Sequence, residues 1–185
     1  MSEIDEIISA CKANESWAQE KLFKLFGPRM LGICRRYLSS LDDAKDAMQD
    51  GFVKVFINLH KYEGRSSFNT WITRIMMNTA IDSVKKINKV QFVTDDHYFD
   101  DDHNKGVGEE DYIEAPQLNQ EQLLELIDKM PHGYKMVFNM YAIEGLGHRE
   151  IGQILGISEG TSKSQLNRAR NFLKTEITKL ERTLQ

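Results

Sequence analysis

The sequence predicts an all-α protein with two small helical domains, which are joined by an acidic flexible linker, and with a C-terminal helix-turn-helix. Three observations lead to this prediction. Apolar residues recur at helical spacing through most of the 185 residues. No segment alternates strongly enough to indicate a β-strand. Residues 94–116 carry nine acidic residues against one basic residue, and they lack a sustained helical period.

The N-terminal half contains four apolar stripes at helical spacing. These predict helices over residues 2–13, 16–39, 43–59 and 68–87, with a loop over residues 60–67. The Gly27-Pro28 pair interrupts the second stripe, so we expect a turn or a kink there. We expect Asp42 or Asp43 to cap the third helix.

The net charge of −4 is unevenly distributed along the chain. Outside residues 94–116, 23 basic residues exceed 19 acidic residues. Two mildly basic bodies joined by an acidic linker indicate a nucleic-acid partner better than the total charge does.

The composition also predicts where the protein works. No apolar run approaches the ~20 residues that span a membrane. The acidic N-terminus lacks the basic start and apolar centre of a signal peptide. We therefore expect a cytoplasmic protein with no membrane insertion. Cys11 and Cys34 are expected to be small buried hydrophobes, and no Cys/His spacing indicates a metal or cofactor site.

The stretch over residues 147–173 has the pattern of a helix-turn-helix. Gly156 ends the first helix, Ile157 plugs the turn and Ser158 can cap the second helix. The second helix has apolar residues on one side, and its other side carries Ser164, Asn167, Arg168 and Asn171. Such a helix can enter a DNA major groove. The alternative is an ordinary helical corner with a solvated outer face.

Three segments together resemble the motifs of one family. Asp43–Phe52, DAKDAMQDGF, is similar to D-A-E-D-(x)-x-Q-E-x-F. From Phe68 to Lys86, the residues are similar to F-x-T-W-L-x-R-I-x-x-N-x-x-x-D-x-x-R. Glu159–Arg170, EGTSKSQLNRAR, is similar to E-G-T-V-K-S-R-L-x-R-A-R. These motifs belong to bacterial RNA polymerase sigma factors of the sigma-70 family, and the two-domain extracytoplasmic-function (ECF) group is the most similar.

The resemblance implies that the first segment binds the β′ clamp of core RNA polymerase. The polymerase-binding residues would be Asp43, Asp46, Gln49 and Asp50. Their spacing also places Asp46, Gln49 and Asp50 on one side of a helix, where they could accept hydrogen bonds from a basic partner. On spacing alone, an ordinary solvated acidic face remains the alternative.

The second segment would open the −10 element and hold a flipped base. Donors suited to the base are Arg65, Ser66, Ser67 and Asn78, and cations suited to the DNA backbone are Arg74, Lys85 and Lys86. We expect Trp71 to lie in the core rather than against DNA. Asp82 is expected either to contact DNA or to pair with one of the two lysines that follow it.

The third segment would read the −35 element. Lys163, Ser164, Asn167 and Arg168 would lie at or near base edges, and Thr161, Arg149 and Arg170 would contact phosphates. Two departures from the motif have expected effects. Ser162 replaces Val, which should loosen the packing or leave this position exposed. Gln165 replaces Arg, which should remove a positive charge from the groove side.

The resemblance therefore implies an alternative-type sigma factor without catalytic activity, whose partners are core RNA polymerase, promoter DNA and an anti-sigma factor. The expected domains are a region 2-like domain over 1–90, an acidic linker over 91–117 and a region 4-like domain over 118–185. A polymerase-independent helix-turn-helix repressor or activator is one alternative. The other is a Mg²⁺-dependent phosphohydrolase that uses the aspartates at 42, 43, 46 and 50. Against this enzyme, the sequence has no phosphate-binding loop and no Ser/His/Asp motif.

Overall fold

Eight α-helices and no strand make up the part of the chain that the computed structural model describes, which is residues 3–88 and 120–184. The helices belong to two compact units, one on each side of the undescribed segment. The all-α prediction is confirmed. The predicted acidic linker, residues 91–117, lies outside the described residues.

The first unit is a bundle of three long helices with a short helix added at its N-terminus. Its elements are α1 (Glu3–Lys12), α2 (Ser16–Tyr37), α3 (Leu41–Asn58), a 3₁₀ turn (Leu59–Lys61) and α4 (Phe68–Asn88). Helices α2, α3 and α4 pack against one another, and α1 lies against α2 and the 3₁₀ turn. Side chains that are fully buried in this unit include Leu22, Met30, Val55, Ile72 and Met76.

Helix α2 continues through Pro28, so the predicted turn at Gly27-Pro28 is wrong. A proline inside a helix removes one backbone hydrogen bond and crowds the preceding turn. Here Leu22 precedes the proline and Met30 follows it, and both are fully buried. Packing on both sides of Pro28 therefore favours one continuous helix over two separate ones.

Helix α3 begins at Leu41, and the prediction that Asp42 or Asp43 caps it is wrong. The Oγ of Ser40 accepts a hydrogen bond from the Asp43 amide at 3.3 Å. The two aspartates lie in the first turn instead, where negative charge interacts favourably with the positive end of the helix.

The second unit contains the other four helices. These are α5 (Gln120–Asp128), α6 (His132–Phe138), α7 (His148–Leu155) and α8 (Glu159–Leu184), with a π-helical turn (Asn139–Ile143) after α6. Helices α5, α6 and α7 all pack against α8. One cluster of the core consists of Leu126, Ile127, Met130, Tyr134, Ala169, Leu173 and Ile177.

A buried ion pair joins α5 to α6 in this unit. The Lys135 Nζ lies 2.5 Å from the Asp128 Oδ1, and the lysine side chain is only 2% exposed. A charge so well removed from water is tolerated only when an opposite charge accompanies it. Sequence reasoning did not foresee this pair.

Both cysteines are buried and unpaired with each other, as predicted. Burial raises the pKa of the Cys34 thiol to about 12 and also raises the pKa of Cys11. Both side chains therefore act as apolar core residues at neutral pH. Among the described helices, none is both long enough and apolar enough to cross a membrane.

Candidate polymerase and promoter surfaces

The acidic side of α3 is exposed at three of the four predicted polymerase-binding residues. Asp46, Gln49 and Asp50 are exposed, whereas Asp43 is half-buried near the helix start. The same side of the helix continues through Val53 and Ile57, whose side chains are 56% and 65% exposed. Sequence reasoning missed this apolar extension. The regular spacing of residues 46, 50, 53 and 57 is a signal that could have revealed it.

Tyr62 organises the loop before α4. Its hydroxyl donates a hydrogen bond to the Ser66 carbonyl at 2.9 Å. Its ring centre lies 5.3 Å from the ring centres of both Phe68 and Trp71. The backbone turns at Gly64 with a positive φ of 76°, a conformation that glycine adopts without a steric penalty. These contacts give the loop a defined shape.

The loop borders an open pocket of about 300 Å³. Its lining residues are Lys61, Tyr62, Glu63, Arg65, Ser66 and Trp71. Two of the predicted base-binding residues, Arg65 and Ser66, thus lie in one pocket. Arg65 forms an exposed ion pair with Glu63 at 2.7 Å. A planar aromatic side chain beside donors is a chemistry that suits an unstacked base.

Ser67 has a structural role in addition to the predicted one. Its Oγ accepts a hydrogen bond from the Thr70 amide at 3.1 Å, and it lies 2.8 Å from the Thr70 hydroxyl. Ser67 therefore caps α4. It does not line the pocket around Arg65 and Ser66.

Trp71 is half-buried, so the prediction that it belongs to the core is wrong. The side chain lines both the loop pocket and a second pocket of about 330 Å³. The second pocket is lined by Lys54, Asn58, Lys61, Trp71, Ile75, Asn78 and Thr79. The predicted residue Asn78 thus lies close to Trp71 but outside the loop pocket.

The basic residues of α4 extend along the helix beyond these pockets. Arg74 and Lys86 are exposed, and Lys85 is half-buried. The Asp82 carboxylate lies 3.5 Å from the Lys54 Nζ, which connects α4 to α3. This partner on another helix was not among the lysines that the sequence suggested.

The helix-turn-helix has the geometry that the sequence predicted. Gly156 ends α7 with a φ of 73°, and the amides of Gly156 and Ile157 both donate to the Gly152 carbonyl, at 2.8 and 3.0 Å. The Ser158 Oγ accepts a hydrogen bond from the Thr161 amide at 2.9 Å. The predicted turn at Gly156 and the predicted cap at Ser158 are confirmed.

Most of the predicted −35 residues are exposed around the start of α8. Lys163, Ser164, Asn167, Arg168 and Arg170 are exposed on α8, Arg149 is exposed on α7, and Thr161 is half-buried. Lys163 and Ser164 each have a partner in the same helix. Lys163 forms an ion pair with Glu159 at 2.8 Å, and the Ser164 hydroxyl donates to the Thr161 carbonyl at 3.0 Å.

The structure places the two residues that depart from the motif. Ser162 is fully buried rather than exposed, and its Oγ lies 2.9 Å from the His148 Nδ1. Gln165 is half-buried, and a Cβ added to Gly133 of α6 would lie 3.2 Å from its Nε2. Gln165 therefore packs towards α6, and the loss of a groove-side charge relative to the motif stays a prediction.

His148 is a further member of this surface that sequence reasoning missed. Its ring stacks on Tyr141 with ring centres 4.5 Å apart, and the Arg170 guanidinium lies 5.9 Å from the Tyr141 ring centre. Partial burial and the charges of Lys163 and Arg170 lower the pKa of His148, against the opposing effect of Glu159. The folded protein therefore favours the neutral imidazole.

No group of three or more His, Cys, Asp or Glu side chains within residues 3–88 and 120–184 is placed to hold a metal ion. The aspartates at positions 42, 43, 46 and 50, on which the phosphohydrolase alternative depends, form no such group.

Two family models match the chain, one in each unit. Sigma-70 region 2 matches residues 22–90, and Sigma-70, region 4 matches residues 120–173. The chain is 26% identical to the ECF RNA polymerase sigma factor SigW of Bacillus subtilis, over 94% of this chain and 96% of that protein. It is 25% identical to the ECF RNA polymerase sigma-E factor of Haemophilus influenzae, over 92% and 93% of the two chains.

Solved structures have the same fold. The sigma factor RpoE of Bartonella quintana, solved with the anti-sigma factor NepR, matches with a TM-score of 0.54 and 21% identity over 86% of this chain and 96% of that chain. CnrH, solved with the cytosolic domain of CnrY, matches with a TM-score of 0.51 and 18% identity over 93% and 95%. With both region models matched in order and ECF sigma factors similar over almost the whole length, the chain belongs to the ECF group of the sigma-70 family of RNA polymerase sigma factors.

Proposed function

We propose that this alternative sigma factor, which directs DNA-templated transcription initiation, divides promoter recognition between its two units. A region 2-like domain (1–90) would bind core polymerase and open the −10 element. A region 4-like domain (118–185) would grip the −35 element, and residues 91–117 would link the two. The protein would act in the cytoplasm as a non-catalytic subunit.

The pocket beside Trp71 is the observation that carries this proposal. A repressor that needs only a helix-turn-helix has no use for an aromatic-walled pocket in its other unit. A factor that melts DNA needs a place for an extruded base, and a half-buried indole beside Arg65 and Ser66 supplies a stacking surface and donors. The exposed cations Arg74 and Lys86 on α4 would neutralise backbone phosphates nearby.

The exposed side of α3 supports the polymerase interface. Asp46, Gln49 and Asp50 offer hydrogen-bond acceptors to a basic coiled coil such as the β′ clamp. Val53 and Ile57 add exposed apolar area along the same side. Interfaces commonly combine an apolar centre with a polar rim, and this helix presents both within four turns.

The exposed start of α8 supports reading of the −35 element. Asn167 suits adenine and Arg168 suits guanine, because each can form two hydrogen bonds to one base edge. Lys163, Arg149 and Arg170 would add contacts to phosphates or to nearby base edges. The free protein should bind DNA weakly, since each unit contributes only part of the interface and polymerase fixes their spacing.

An anti-sigma factor is a further partner that the family implies. A protein that covered the exposed side chains of Val53 and Ile57 would also block Asp46 and Asp50. It would therefore compete with core polymerase for α3. Binding of an anti-sigma factor and binding of core polymerase should then exclude each other.

In vitro transcription with core polymerase and a pool of promoter fragments tests the proposal. Asp46→Arg should abolish specific initiation by weakening polymerase binding. Glu6→Arg makes the same charge change at an exposed position of α1 and should not abolish initiation. Arg168→Ala should abolish initiation that depends on the −35 element, while Arg182→Ala, farther along α8, should not.

The possible outcomes separate this function from its main alternative. Initiation that is lost only in the two interface variants supports the sigma factor with these sites. No initiation, together with tight binding of the free protein to duplex DNA, would favour a polymerase-independent repressor or activator. Equal loss in an interface variant and its control would contradict the site assignment.

A further inference from the structure

The N-terminal helix α1 contacts the loop that forms the base pocket. The Lys12 Nζ donates a hydrogen bond to the Tyr62 carbonyl at 2.9 Å. The same ammonium group lies 5.9 Å from the centre of the Tyr62 ring. Lys12 and Tyr62 are separated by 50 positions in the chain, and α1 precedes residue 22, where the region 2 match begins.

Helix α1 is firmly attached to the unit and therefore provides a fixed anchor. Its inner side buries Ile7, Ile8 and Cys11. A second tie to α2 is the ion pair between Glu3 and Lys21, at 2.7 Å. Lys12, in the last turn of α1, thus reaches the loop from a helix whose own position is set by burial.

Tyr62 connects Lys12 of α1 to the residues that line the pocket. Its carbonyl is held by Lys12, its hydroxyl holds the Ser66 carbonyl, and its ring contacts Trp71. Ser66 and Trp71 both line the pocket. A shift of the Tyr62 backbone would therefore move two walls of the pocket at once.

We propose that α1, through the hydrogen bond from Lys12 to Tyr62, is a positioning element that holds the −10 loop in its base-accepting shape. This inference rests on the proposed function of the pocket. Lys12 does not line the pocket and is not expected to touch the base. Its role is to reduce the conformational freedom that the loop would otherwise lose when it captures a base.

The first test measures loop geometry in the free protein, without polymerase or DNA. In a Trp17→Phe background, Trp71 is the only tryptophan, so its quenching by acrylamide reports the exposure of the pocket wall. Lys12→Met removes the donor and keeps most of the aliphatic stem. Lys24→Met is the matched control, because it removes an exposed ammonium group whose ion pair, with Glu20 at 2.6 Å, lies within α2 and involves neither α1 nor the loop. Only Lys12→Met should increase the quenching constant.

The second test measures promoter opening by the full chain with core polymerase. On duplex promoter, Lys12→Met should slow open-complex formation by about two- to fivefold, the range expected from an exposed charge-assisted hydrogen bond. On a promoter with a pre-melted −10 region carrying the same bases, part of this loss should persist, because base capture still requires the ordered loop. Lys24→Met should match the wild type on both templates.

Three results would overturn the inference. These are unchanged Trp71 quenching in Lys12→Met, an equal effect of Lys24→Met, and wild-type opening rates in Lys12→Met despite altered quenching. If the wild-type chain itself opened no promoter, the proposed function would fail. The quenching comparison would then still decide whether Lys12 positions the loop.

Discussion

The Nδ1 of His148 lies 2.9 Å from the Oγ of Ser162, and this contact joins the first residue of α7 to the buried side of α8. The two helices of the DNA-reading motif are thus connected by a polar pair as well as by apolar packing. The imidazole also stacks on Tyr141, which precedes α7. The protonation of one side chain is therefore linked to the geometry of the motif.

We expect the second unit to lose stability as the pH falls below about 7.5, where histidines of the unfolded chain, with an ordinary pKa of about 6.5, begin to take up protons. The pKa of His148 is lowered by burial and by Lys163, and the pKa of His132 is lowered by burial and by Lys135. The unfolded chain therefore takes up these protons at a higher pH than the folded chain, so acidification favours unfolding. Urea unfolding at a series of pH values, monitored by hydrogen exchange in peptides from α6–α8, measures the slope of the free energy of unfolding against pH.

Histidine replacement is the control for this pH dependence. His148→Gln should remove part of the slope, and the double variant His132→Gln, His148→Gln should remove more of it. His60→Gln, in the first unit, should leave it unchanged. A slope of the opposite sign in the wild type, or an unaltered slope in the double variant, would contradict the assignment to these two rings.

Gly152→Ala should destabilise the second unit by about 2 kcal/mol and reduce binding to the −35 element. A Cβ at this position would lie 2.7 Å from the carbonyl oxygen of Ile157, and that backbone is part of the tight turn. Thermal unfolding by circular dichroism measures the loss. Gly160→Ala is the matched control, because its Cβ would meet only the Ser158 Oγ at 3.7 Å. An unchanged unfolding temperature in Gly152→Ala would show that the turn can relax.

Asp128→Ala should cost more stability than Lys135→Met. The first change removes the carboxylate from a buried ammonium group, which we expect to cost about 3 kcal/mol, the low end for a buried pair, because Asp128 is 29% exposed. The second change replaces that ammonium with a chain of similar shape and leaves the carboxylate partly exposed. Chemical denaturation of both variants gives the comparison. The reverse order would mean that the lysine stem, rather than the charge pair, stabilises this site.

Glu159→Gln should increase the affinity of the holoenzyme for DNA containing the −35 element. The carboxylate pairs with Lys163, and that ion pair lowers the pKa of Glu159. Without the Glu159 carboxylate, Lys163 can pair with a phosphate, and the repulsion between the carboxylate and the DNA phosphates is removed. Fluorescence anisotropy across salt concentrations should show a steeper salt dependence. Glu176→Gln, which breaks the ion pair with Lys179 farther along α8, should leave affinity unchanged.

Local signals were sufficient where the deciding residues are neighbours in the chain. The turn at Gly156 and the cap at Ser158 both depend on contacts within five residues, and both predictions are confirmed. The start of α3 was predicted wrongly, because Ser40, Asp42 and Asp43 are all good caps. The hydrogen bond from the Asp43 amide to the Ser40 Oγ, which only the folded chain shows, identifies Ser40 as the cap.

The candidate sites depended more on contacts that no short window contains. An apolar pattern does not distinguish a tryptophan of the core from one that lines a pocket or lies on the surface. Trp71 lines the loop pocket, and the side chain of Trp17 is 54% exposed. The Ser162–His148 contact and the Lys12–Tyr62 contact join residues on different elements. The motifs indicated which residues matter, but their shared geometry required the folded chain.

Gly51 of α3 shows how closely the two proposed surfaces of the first unit are coupled. It is buried, and a side chain there would overlap the Sδ of Met76 in α4, which is itself fully buried. Helix α3 carries the acids that we propose to bind polymerase, and α4 carries the cations that we propose for the −10 element. Met76 of α4 packs directly against the α3 backbone at Gly51. If α3 binds the enzyme as proposed, this close packing would orient α4 on the promoter at the same time.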